Sequence, residues 1–224
     1  MEEASCIGTA GLTAYQSIAP YVRPGAGDRV FINGGSGGTG TFGIQVAKAL
    51  GCHVTASCSG PNVALCRSLG ADAVIDYTRE DVCAVLASSS SSSSSDPGSG
   101  ARAFRLVVDN VGVSPPDLYS AADRFLDPEE GRFVQVGGEP TLAGLRVAAS
   151  RALLPAFLGG GRRRWEFIVT RNDAEDLAQL GRWVREGKLK PVVDEVFGFE
   201  DVPKAFEKLK TKRARGKIVV RVSK

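Results

Sequence analysis

Residues 30–40 read Val-Phe-Ile-Asn-Gly-Gly-Ser-Gly-Gly-Thr-Gly, an apolar run that leads directly into a glycine-rich turn. Residues 35–40 fit the spacing G-x-G-x-x-G, and Gly34, Gly37 and Gly40 also fit the wider G-x-x-G-x-x-G. A strand, a tight turn and a helix present backbone N–H groups to a pyrophosphate, and a side chain at these positions would block the turn or the ligand. The stretch therefore predicts a dinucleotide site, with contacts from Ser36, Gly37, Gly38, Thr39 and Gly40.

The sequence around the turn favours this interpretation over a flexible connector, for which glycine-rich turns are also typical. Residues 28–33 are predicted to form a strand, and residues 41–50 a helix with Phe42, Val46 and Leu50 along one side. The next apolar run, residues 53–56, follows at once. The turn thus lies inside a complete strand–helix–strand unit.

Strand and helix signals alternate through most of the remaining chain. Further strands are predicted at 73–76, 104–108, 132–136 and 166–169, and further helices at 62–69, 80–86 and 117–125. This alternation predicts an α/β fold with a doubly wound parallel sheet, the Rossmann arrangement.

Two segments depart from this pattern. Residues 88–95 are all serine and lead into Asp-Pro-Gly-Ser-Gly at 96–100, which predicts a disordered loop over 88–100 because the segment cannot bury apolar area. Near the C-terminus, strands at 190–197 and 217–222 and a helix at 202–209 are too few to form a core of their own. We expect them to pack on another part of the protein.

Composition excludes several classes of function. A net charge of +3 over 224 residues is slight, and the basic runs at 162–164 and 208–217 are more typical of a solvated face than of a nucleic-acid surface. No apolar run reaches the ~20 residues of a membrane span. The acidic start, Met1-Glu2-Glu3, does not resemble a signal or transit peptide.

The cysteines and the single histidine indicate neither a disulfide framework nor a metal site. Five cysteines form no C-x-x-C pair, which predicts reduced thiols and an intracellular location, cytoplasmic or mitochondrial. Cys52 and His53 are neighbours on a predicted strand and point to opposite faces, so they cannot share a metal. No zinc site is expected.

Five short sequence motifs resemble those of a known superfamily: AGLTAY at 10–15, the turn at 34–40, LGADAVIDY at 69–77, GKLKP at 187–191 and ARGK at 214–217. Because these motifs occur in this order, the chain resembles the medium-chain dehydrogenase/reductase superfamily. The nearest branch is the zinc-independent, quinone-oxidoreductase-like one, which includes the reticulon-interacting mitochondrial reductases.

The resemblance also implies a division into domains. Members of the superfamily begin with a GroES-like barrel that holds the substrate, and most of that barrel is missing from this sequence. Residues 1–23 resemble the helix and linker that follow the barrel, residues 24–186 the NADP-binding Rossmann domain, and residues 187–224 the segment that returns to the catalytic domain. A truncated form of a longer reductase is therefore expected.

The choice of cofactor follows from the end of the second strand. An NAD-binding unit carries a carboxylate there for the ribose 2′-hydroxyl, whereas this chain has Ser-Cys-Ser-Gly at 57–60, whose hydroxyls can donate to a 2′-phosphate. The resemblance assigns 2′-phosphate contacts to Ser59 and Tyr77 and brings Arg215 to the cofactor. NADPH is accordingly expected over NADH.

The resemblance places further residues along the cofactor cleft. Asn110 and Val111 match the ribose and nicotinamide side, Gly137 ends the next strand at the crevice, Thr13 lies near the nicotinamide, and Phe167 lies beside the substrate. For each of these residues, strand capping or core packing is an equally good explanation.

The implied activity is hydride transfer from NADPH to a quinone or to an activated C=C or C=O bond. No residue suggests itself as the proton donor. The alternative is a non-catalytic NADPH-binding module or interaction protein, and a weaker alternative treats the basic runs as an RNA surface. The expected partner is a small quinone-like or enone-like molecule, with a homodimer left open.

Overall fold

The computed structural model describes residues 2–91, 103–112, 118–137 and 163–222. Its main body is a six-stranded parallel sheet with the order β3-β2-β1-β4-β5-β6. The strands are β1 (Arg29–Asn33), β2 (His53–Cys58), β3 (Ala73–Asp76), β4 (Leu106–Asp109), β5 (Arg132–Gln135) and β6 (Arg164–Phe167). This order confirms the predicted doubly wound sheet, with the change of direction between β1 and β4.

The helices of the described residues are mostly short. They are α1 (Glu2–Ser5), α2 (Gly8–Gln16), α3 (Gly38–Ala49), α4 (Val63–Ser68), α5 (Val82–Ser91), α6 (Leu118–Ala121), α7 (Ala174–Arg185) and α8 (Val202–Lys210). Single 3-10 turns lie at Gly60–Asn62, Ala122–Arg124 and Phe199–Asp201.

The central strand is buried on both faces, which explains why its sequence is an unbroken apolar run. Val30 and Ile32 belong to one core cluster together with α2 and α3, whereas Phe31 belongs to a second cluster on the opposite face of the sheet. All three side chains have no exposed surface. Covering both faces is the usual condition for an all-parallel sheet.

Two predicted boundaries need correction at helix ends. Helix α3 begins at Gly38, three residues before the predicted start, so the last glycines of the turn form its first turn. Helix α5 continues to Ser91, so the predicted disordered loop at 88–100 is wrong for 88–91. The hydroxyls of Ser88, Ser89 and Ser90 donate to carbonyls three or four residues earlier, and Arg29 donates to the Ser89 carbonyl at 3.0 Å. The rest of that loop lies outside the described residues.

The C-terminal elements form a small unit of their own beside the sheet. Strands β7 (Val193–Gly198) and β8 (Lys217–Arg221) pair in parallel, and α8 packs against both. Leu189 and Val219 belong to the core cluster that surrounds α2 and α3. The unit therefore packs on the Rossmann body, as expected for elements too few to form a core of their own. At its far end, Arg221 forms an ion pair with Glu2 of α1.

Candidate cofactor site

The candidate site lies at the carboxyl edge of the sheet, where β1 and β4 leave in opposite directions. Their last residues, Asn33 and Asp109, are register neighbours. In open α/β sheets a crevice opens at this point because the chains that follow the two strands turn to opposite faces. The glycine-rich turn leaves β1 on one side of the crevice, and residues 110–112 leave β4 on the other.

The turn forms a cradle that has no space for side chains. Gly34 has a φ of +74°, and a Cβ on Gly40 would lie 2.1 Å from the Gly34 carbonyl oxygen. Gly37 precedes α3 as its N-cap, and none of the side chains that the structure describes caps the helix. The first N–H groups of a 12-residue helix are therefore without a side-chain acceptor, an arrangement that suits a phosphate oxygen.

A buried polar network holds the turn against the neighbouring strands. Asn33 Nδ2 donates to Asp109 Oδ1 at 2.8 Å, and Ser57 Oγ donates to Asn33 Oδ1 at 2.6 Å. Ser57 Oγ in turn accepts the Gly34 N–H at 3.2 Å. Since a buried polar network specifies one arrangement when its groups are satisfied, β1, β2 and β4 set the position of the turn together.

The loop after β4 is fixed by the same carboxylate. Asp109 Oδ1 accepts the N–H groups of Val111 and Gly112, each at 3.0 Å, and Asn110 Nδ2 donates to the Asn33 carbonyl at 2.9 Å. Asn110 Oδ1 is buried and has no hydrogen-bond partner among the described residues. A buried acceptor without a partner beside a crevice fits a ligand donor such as a ribose hydroxyl.

The predicted contact Gly137 lies against this loop. A Cβ on Gly137 would lie 2.1 Å from the Asn110 carbonyl oxygen. Only glycine permits β5 to end so close to the loop after β4. The structure thus brings Gly137, Asn110 and the glycine-rich turn together around one crevice.

At the end of β2, the predicted Ser59 is held by a residue that the sequence analysis missed. Asn62 Nδ2 donates to Ser36 Oγ and to Ser59 Oγ, in both cases at 3.2 Å. The backbone N–H of Asn62 donates to the Ser59 carbonyl at 2.8 Å. The Gly-Pro-Asn sequence at 60–62 was a signal for a tight turn, but its amide has a specific partner only after the chain folds.

The structure also places a carboxylate near Ser59. This carboxylate does not belong to the end of β2 but to the neighbouring strand. A Cβ on Gly60 would lie 2.7 Å from Asp76 Oδ2, at the end of the neighbouring β3. Thr78 donates to Asp76 through its hydroxyl at 2.6 Å and its N–H at 3.0 Å. The hydroxyl bond from Thr78, together with its N–H bond and the nearby Arg79, keeps the pKa of Asp76 below its usual range. Tyr77 follows with its side chain 56% exposed.

The C-terminal unit closes the site from the side of the helix N-terminus. The Gly216 N–H donates to the Ser36 carbonyl at 2.9 Å. Lys217 lies over the first turn of α3, because a Cβ on Gly38 would lie 3.1 Å from its Cδ and 3.6 Å from its Nζ. The predicted Arg215 is exposed next to this contact. The contact of Lys217 with the glycine-rich turn could not be predicted from the sequence, because 177 positions separate Lys217 from Gly40.

Thr13, assigned by the resemblance to the nicotinamide, and Phe167, assigned to the substrate end, have different surroundings. Thr13 is buried, and its hydroxyl bonds the Thr9 carbonyl and Thr170 Oγ1, each at 2.6 Å. This contact joins α2 to the segment after β6. Phe167 ends β6 with 52% of its surface exposed, and Val111, which follows β4, is 46% exposed. Their contacts with a substrate or nicotinamide remain predictions.

Thiols and carboxylates offer no metal centre within the part of the chain that the structure describes. Over those residues no three histidine, cysteine, aspartate or glutamate side chains form a group that could hold a metal. All five cysteines are buried thiols, and burial raises the pKa of the Cys52 thiol to about 11. Burial also raises the pKa of the Cys66 thiol, which packs beneath the turn. Such thiols stay protonated and unreactive.

Some cations of the two basic runs are neutralised within the protein. Arg163 pairs with Asp123 at 2.9 Å, and Lys208 pairs with Asp194 at 3.0 Å and Glu195 at 2.5 Å. Separately, none of the described helices combines the length and apolar character that a membrane crossing needs.

Comparison with known proteins places this geometry in a family. Residues 69–220 match the zinc-binding dehydrogenase family. The chain is 52% identical over 223 residues to the trans-enoyl reductase pgmF of Aspergillus terreus, covering 98% of this chain and 59% of that protein. It is 37% identical over 209 residues to the mitochondrial NAD(P)H oxidoreductase RTN4IP1 of Bos taurus, covering 88% and 48%. The chain thus spans only about half to three-fifths of these relatives.

Solved structures show the same fold. The quinone oxidoreductase of Coxiella burnetii superposes with a TM-score of 0.74 and is 30% identical, covering 96% of this chain and 59% of that one. The alcohol dehydrogenase of Aeropyrum pernix superposes with a TM-score of 0.72 at 24% identity, covering 98% and 58%. The second likeness concerns the fold alone.

Proposed function

This chain belongs to the zinc-binding dehydrogenase family, in the quinone-oxidoreductase-like branch of the medium-chain dehydrogenase/reductase superfamily, and from that premise we propose that it binds NADPH for hydride transfer to a small acceptor. The acceptor class is a quinone or an activated C=C or C=O bond. One observation carries the proposal: the glycine cradle lies at the N-terminus of helix α3, which none of the described side chains caps, and Asn62 joins the hydroxyls of Ser36 and Ser59 there.

The residues present fit a dinucleotide. The turn at 36–40 would hold the pyrophosphate through backbone N–H groups, and Lys217 would supply a positive charge beside the first turn of α3. Asn110, with its unpartnered Oδ1, would accept a ribose hydroxyl. Gly137 leaves space at the end of β5, and Phe167 would bound the nicotinamide end.

The same residues favour NADPH over NADH. Ser59 would donate to the 2′-phosphate, Tyr77 would border it, and Arg215 would approach it from the C-terminal unit. Two carboxylates lie in this region: Glu80 accepts the Asp76 N–H at 3.2 Å, and Asp76 is engaged by Thr78 and by the N–H of Gly60. A carboxylate saturated by donors repels a phosphate less than a free one beside the ribose would.

Bound NADPH supplies a hydride from its nicotinamide, and the protein's part is to bind, orient and exclude water. Val111 and Phe167 offer apolar surface at that end of the crevice, which suits a flat or conjugated acceptor. We assign no proton donor. The family name refers to zinc, but the described residues lack a ligand group for it, so no step is derived through a metal.

A non-catalytic NADPH-binding module is the second candidate. It is favoured by the residues that follow β4, β5 and β6 among those the structure describes, namely Asn110, Val111, Gly112, Val136, Gly137, Ile168, Val169 and Thr170. None of these carries an imidazole, a thiol or an ammonium group, so this end of the crevice can orient a ligand without providing acid–base chemistry.

Two measurements on one purified sample separate these functions. NADPH at ~100 times its Kd should stabilise the fold by about 2.7 kcal/mol, and NADH at the same concentration by clearly less. Equal stabilisation by both would contradict the cofactor assignment. Oxidation of NADPH at 340 nm is then followed with an o-quinone and with an α,β-unsaturated thioester. Turnover supports the reductase, and binding without turnover supports the module.

Two further points go with this proposal. A homodimer is left open, and the molecular mass in solution by light scattering decides between monomer and dimer. We predict an intracellular location, cytoplasmic or mitochondrial, with reduced cysteines. A tagged full-length gene product imaged in its native cell decides between the two compartments.

A further inference from the structure

Asn62 holds the two serines of the site in one hydrogen-bonded bridge. Its Nδ2 donates to Ser36 Oγ in the glycine-rich turn and to Ser59 Oγ at the end of β2, each at 3.2 Å. Among the described residues these are the hydrogen bonds made by the two hydroxyl oxygens. The bridge joins the segment that faces a pyrophosphate to the segment that faces a ribose.

The direction of these bonds decides what the hydroxyls can do next. A serine hydroxyl has one O–H donor and can also accept. Because Asn62 donates to both oxygens, each O–H proton is left for another acceptor. A phosphate presents only acceptors at its ionised oxygens, so two outward-directed O–H groups match it.

The bridge itself is held firmly on the side of Asn62. The Asn62 N–H donates to the Ser59 carbonyl at 2.8 Å, which closes the 3-10 turn Gly60–Asn62 before α4. Pro61 restricts the same turn, and the carboxylate of Asp76 accepts the Gly60 N–H. The amide therefore meets the serines from a fixed backbone position.

We infer that Asn62 is a positioning residue that directs the Ser36 and Ser59 hydroxyls as donors toward the phosphates of the dinucleotide, and that it thereby sets the preference for a 2′-phosphate. The inference rests on the proposed NADPH site and deepens it. Asn62 itself contacts neither the reacting atoms nor the substrate.

Replacing Asn62 with aspartate keeps nearly the same side-chain shape but reverses the direction of its hydrogen bonds with the serines. The carboxylate of Asn62→Asp can only accept, so it draws both serine protons inward and adds a negative charge beside the 2′-phosphate site. Asn62→Ala removes the bridge without adding charge. The two variants therefore separate the loss of positioning from its reversal.

The test measures equilibrium binding of NADPH and NADH to the full chain by fluorescence titration, with 2′,5′-ADP and 5′-AMP as fragment probes. Asn62→Ala should weaken NADPH and 2′,5′-ADP binding about tenfold, as expected for two hydrogen-bonded donors, and NADH and 5′-AMP binding about twofold. Asn62→Asp should weaken NADPH binding by about a further tenfold and invert the preference between the cofactors.

Controls distinguish positioning from a general effect on folding. Asn172→Ala changes an exposed asparagine before α7 and should leave both Kd values unchanged. The melting temperature of each ligand-free variant reports its fold. In the background of Ser59→Ala, which removes one of the two donors, Asn62→Ala should add less than threefold to the NADPH Kd, since it acts partly through Ser59.

The outcomes also separate this inference from the function on which it rests. Wild type that binds neither dinucleotide overturns the proposed function and the inference together. Wild type that prefers NADPH while Asn62→Ala keeps the same NADPH-to-NADH ratio overturns the inference alone. An Asn62→Asp variant that still prefers NADPH overturns it as well.

Discussion

Two buried carboxylates lie at opposite ends of the central sheet. One is paired with arginines, and the other accepts hydrogen bonds from neutral donors. Asp28, just before β1 at the amino end, is 1% exposed and pairs with Arg23 at 2.7 Å and Arg105 at 3.3 Å. Asp109, the last residue of β4 at the carboxyl end, is 4% exposed and accepts from the amide of Asn33 and two backbone N–H groups.

The difference predicts that the amino end of the sheet contributes mainly to stability and the carboxyl end to the proposed binding of NADPH. At the amino end, arginines neutralise the carboxylate, and the cluster ties the segment before β1 to β4. At the carboxyl end, neutral donors satisfy the carboxylate, so its effect is to shape the loops of the crevice. Substitutions at the two ends should therefore affect different measurements.

The largest expected effect comes from Asp28→Ala. Removing the buried carboxylate leaves the Arg23 N–H without its acceptor and takes one charge partner from Arg105, which keeps the Tyr21 carbonyl and Glu130. The free energy of unfolding should fall by about 3 kcal/mol, measured by urea denaturation. The NADPH Kd should stay within about twofold. Glu130→Ala removes an exposed carboxylate from the same cluster and should cost less than about 1 kcal/mol. Equal losses for the two variants would contradict the role of burial.

Asp109→Ala should have a smaller effect on stability and a larger one on binding. It leaves the Asn33 amide and the N–H groups of Val111 and Gly112 without an acceptor, at a cost of about 2 kcal/mol. Because the loop and turn then lose their fixed geometry, the NADPH Kd should rise about 30-fold. The matched control is Asp123→Ala, whose partner Arg163 lies away from the crevice. Unchanged NADPH binding in Asp109→Ala would show that the network does not shape the site.

The smallest expected effect is the pH dependence of stability, which tests the ionisation of Asp28. Burial opposes its ionisation, but hydrogen bonds from Arg23 and the charges of Arg23 and Arg105 prevail and keep its pKa below the usual range. A lowered pKa in the folded state means that the carboxylate stabilises the protein above the ordinary value near ~3.9 and loses this contribution as the pH falls below it.

The measurement compares wild type with Asp28→Asn, which cannot titrate. The difference in unfolding free energy between them should be constant from pH 7 to about pH 5 and should shrink below about pH 4. A difference that stays constant down to pH 2.5 would mean that the ionised form of Asp28 is not favoured by folding.

Much of the fold could be predicted because its signals are local. The run Val30–Ile32 is apolar at every position, as a strand buried on both faces requires, and the glycines after it are needed by the turn itself. The prediction for the serine run was wrong at residues 88–91 because composition does not show which hydrogen bonds the serines make. Composition predicted disorder from residue 88, but the serine hydroxyls can bond the carbonyls of the preceding turn and Arg29 caps the helix from β1.

The candidate site could be predicted only in part. Ser36, Ser59, Gly137 and Asn110 follow predicted strands, and strand ends of a parallel sheet meet at one edge, so their proximity could be expected. Asn62 and Lys217 could not be found this way, because nothing in a turn asparagine or a strand lysine indicates its partner. The carboxylate of Asp76 could likewise not be predicted from the sequence at the end of β2, because it belongs to the next strand.

The sequence by itself determined the sheet of parallel strands, the glycine cradle and the resemblance to a reductase superfamily, because period, glycine spacing and short phrases act over a few residues. Only the tertiary structure decided how the site is held: the bridge of Asn62, the network of Asp109, and the contact of Gly216 and Lys217 with the turn. Their long-range hydrogen bonds join residues 26 to 180 positions apart (Asn62 to Ser36, Asn33 to Asp109, Gly216 to Ser36), and no local pattern encodes which distant donor a given acceptor will meet.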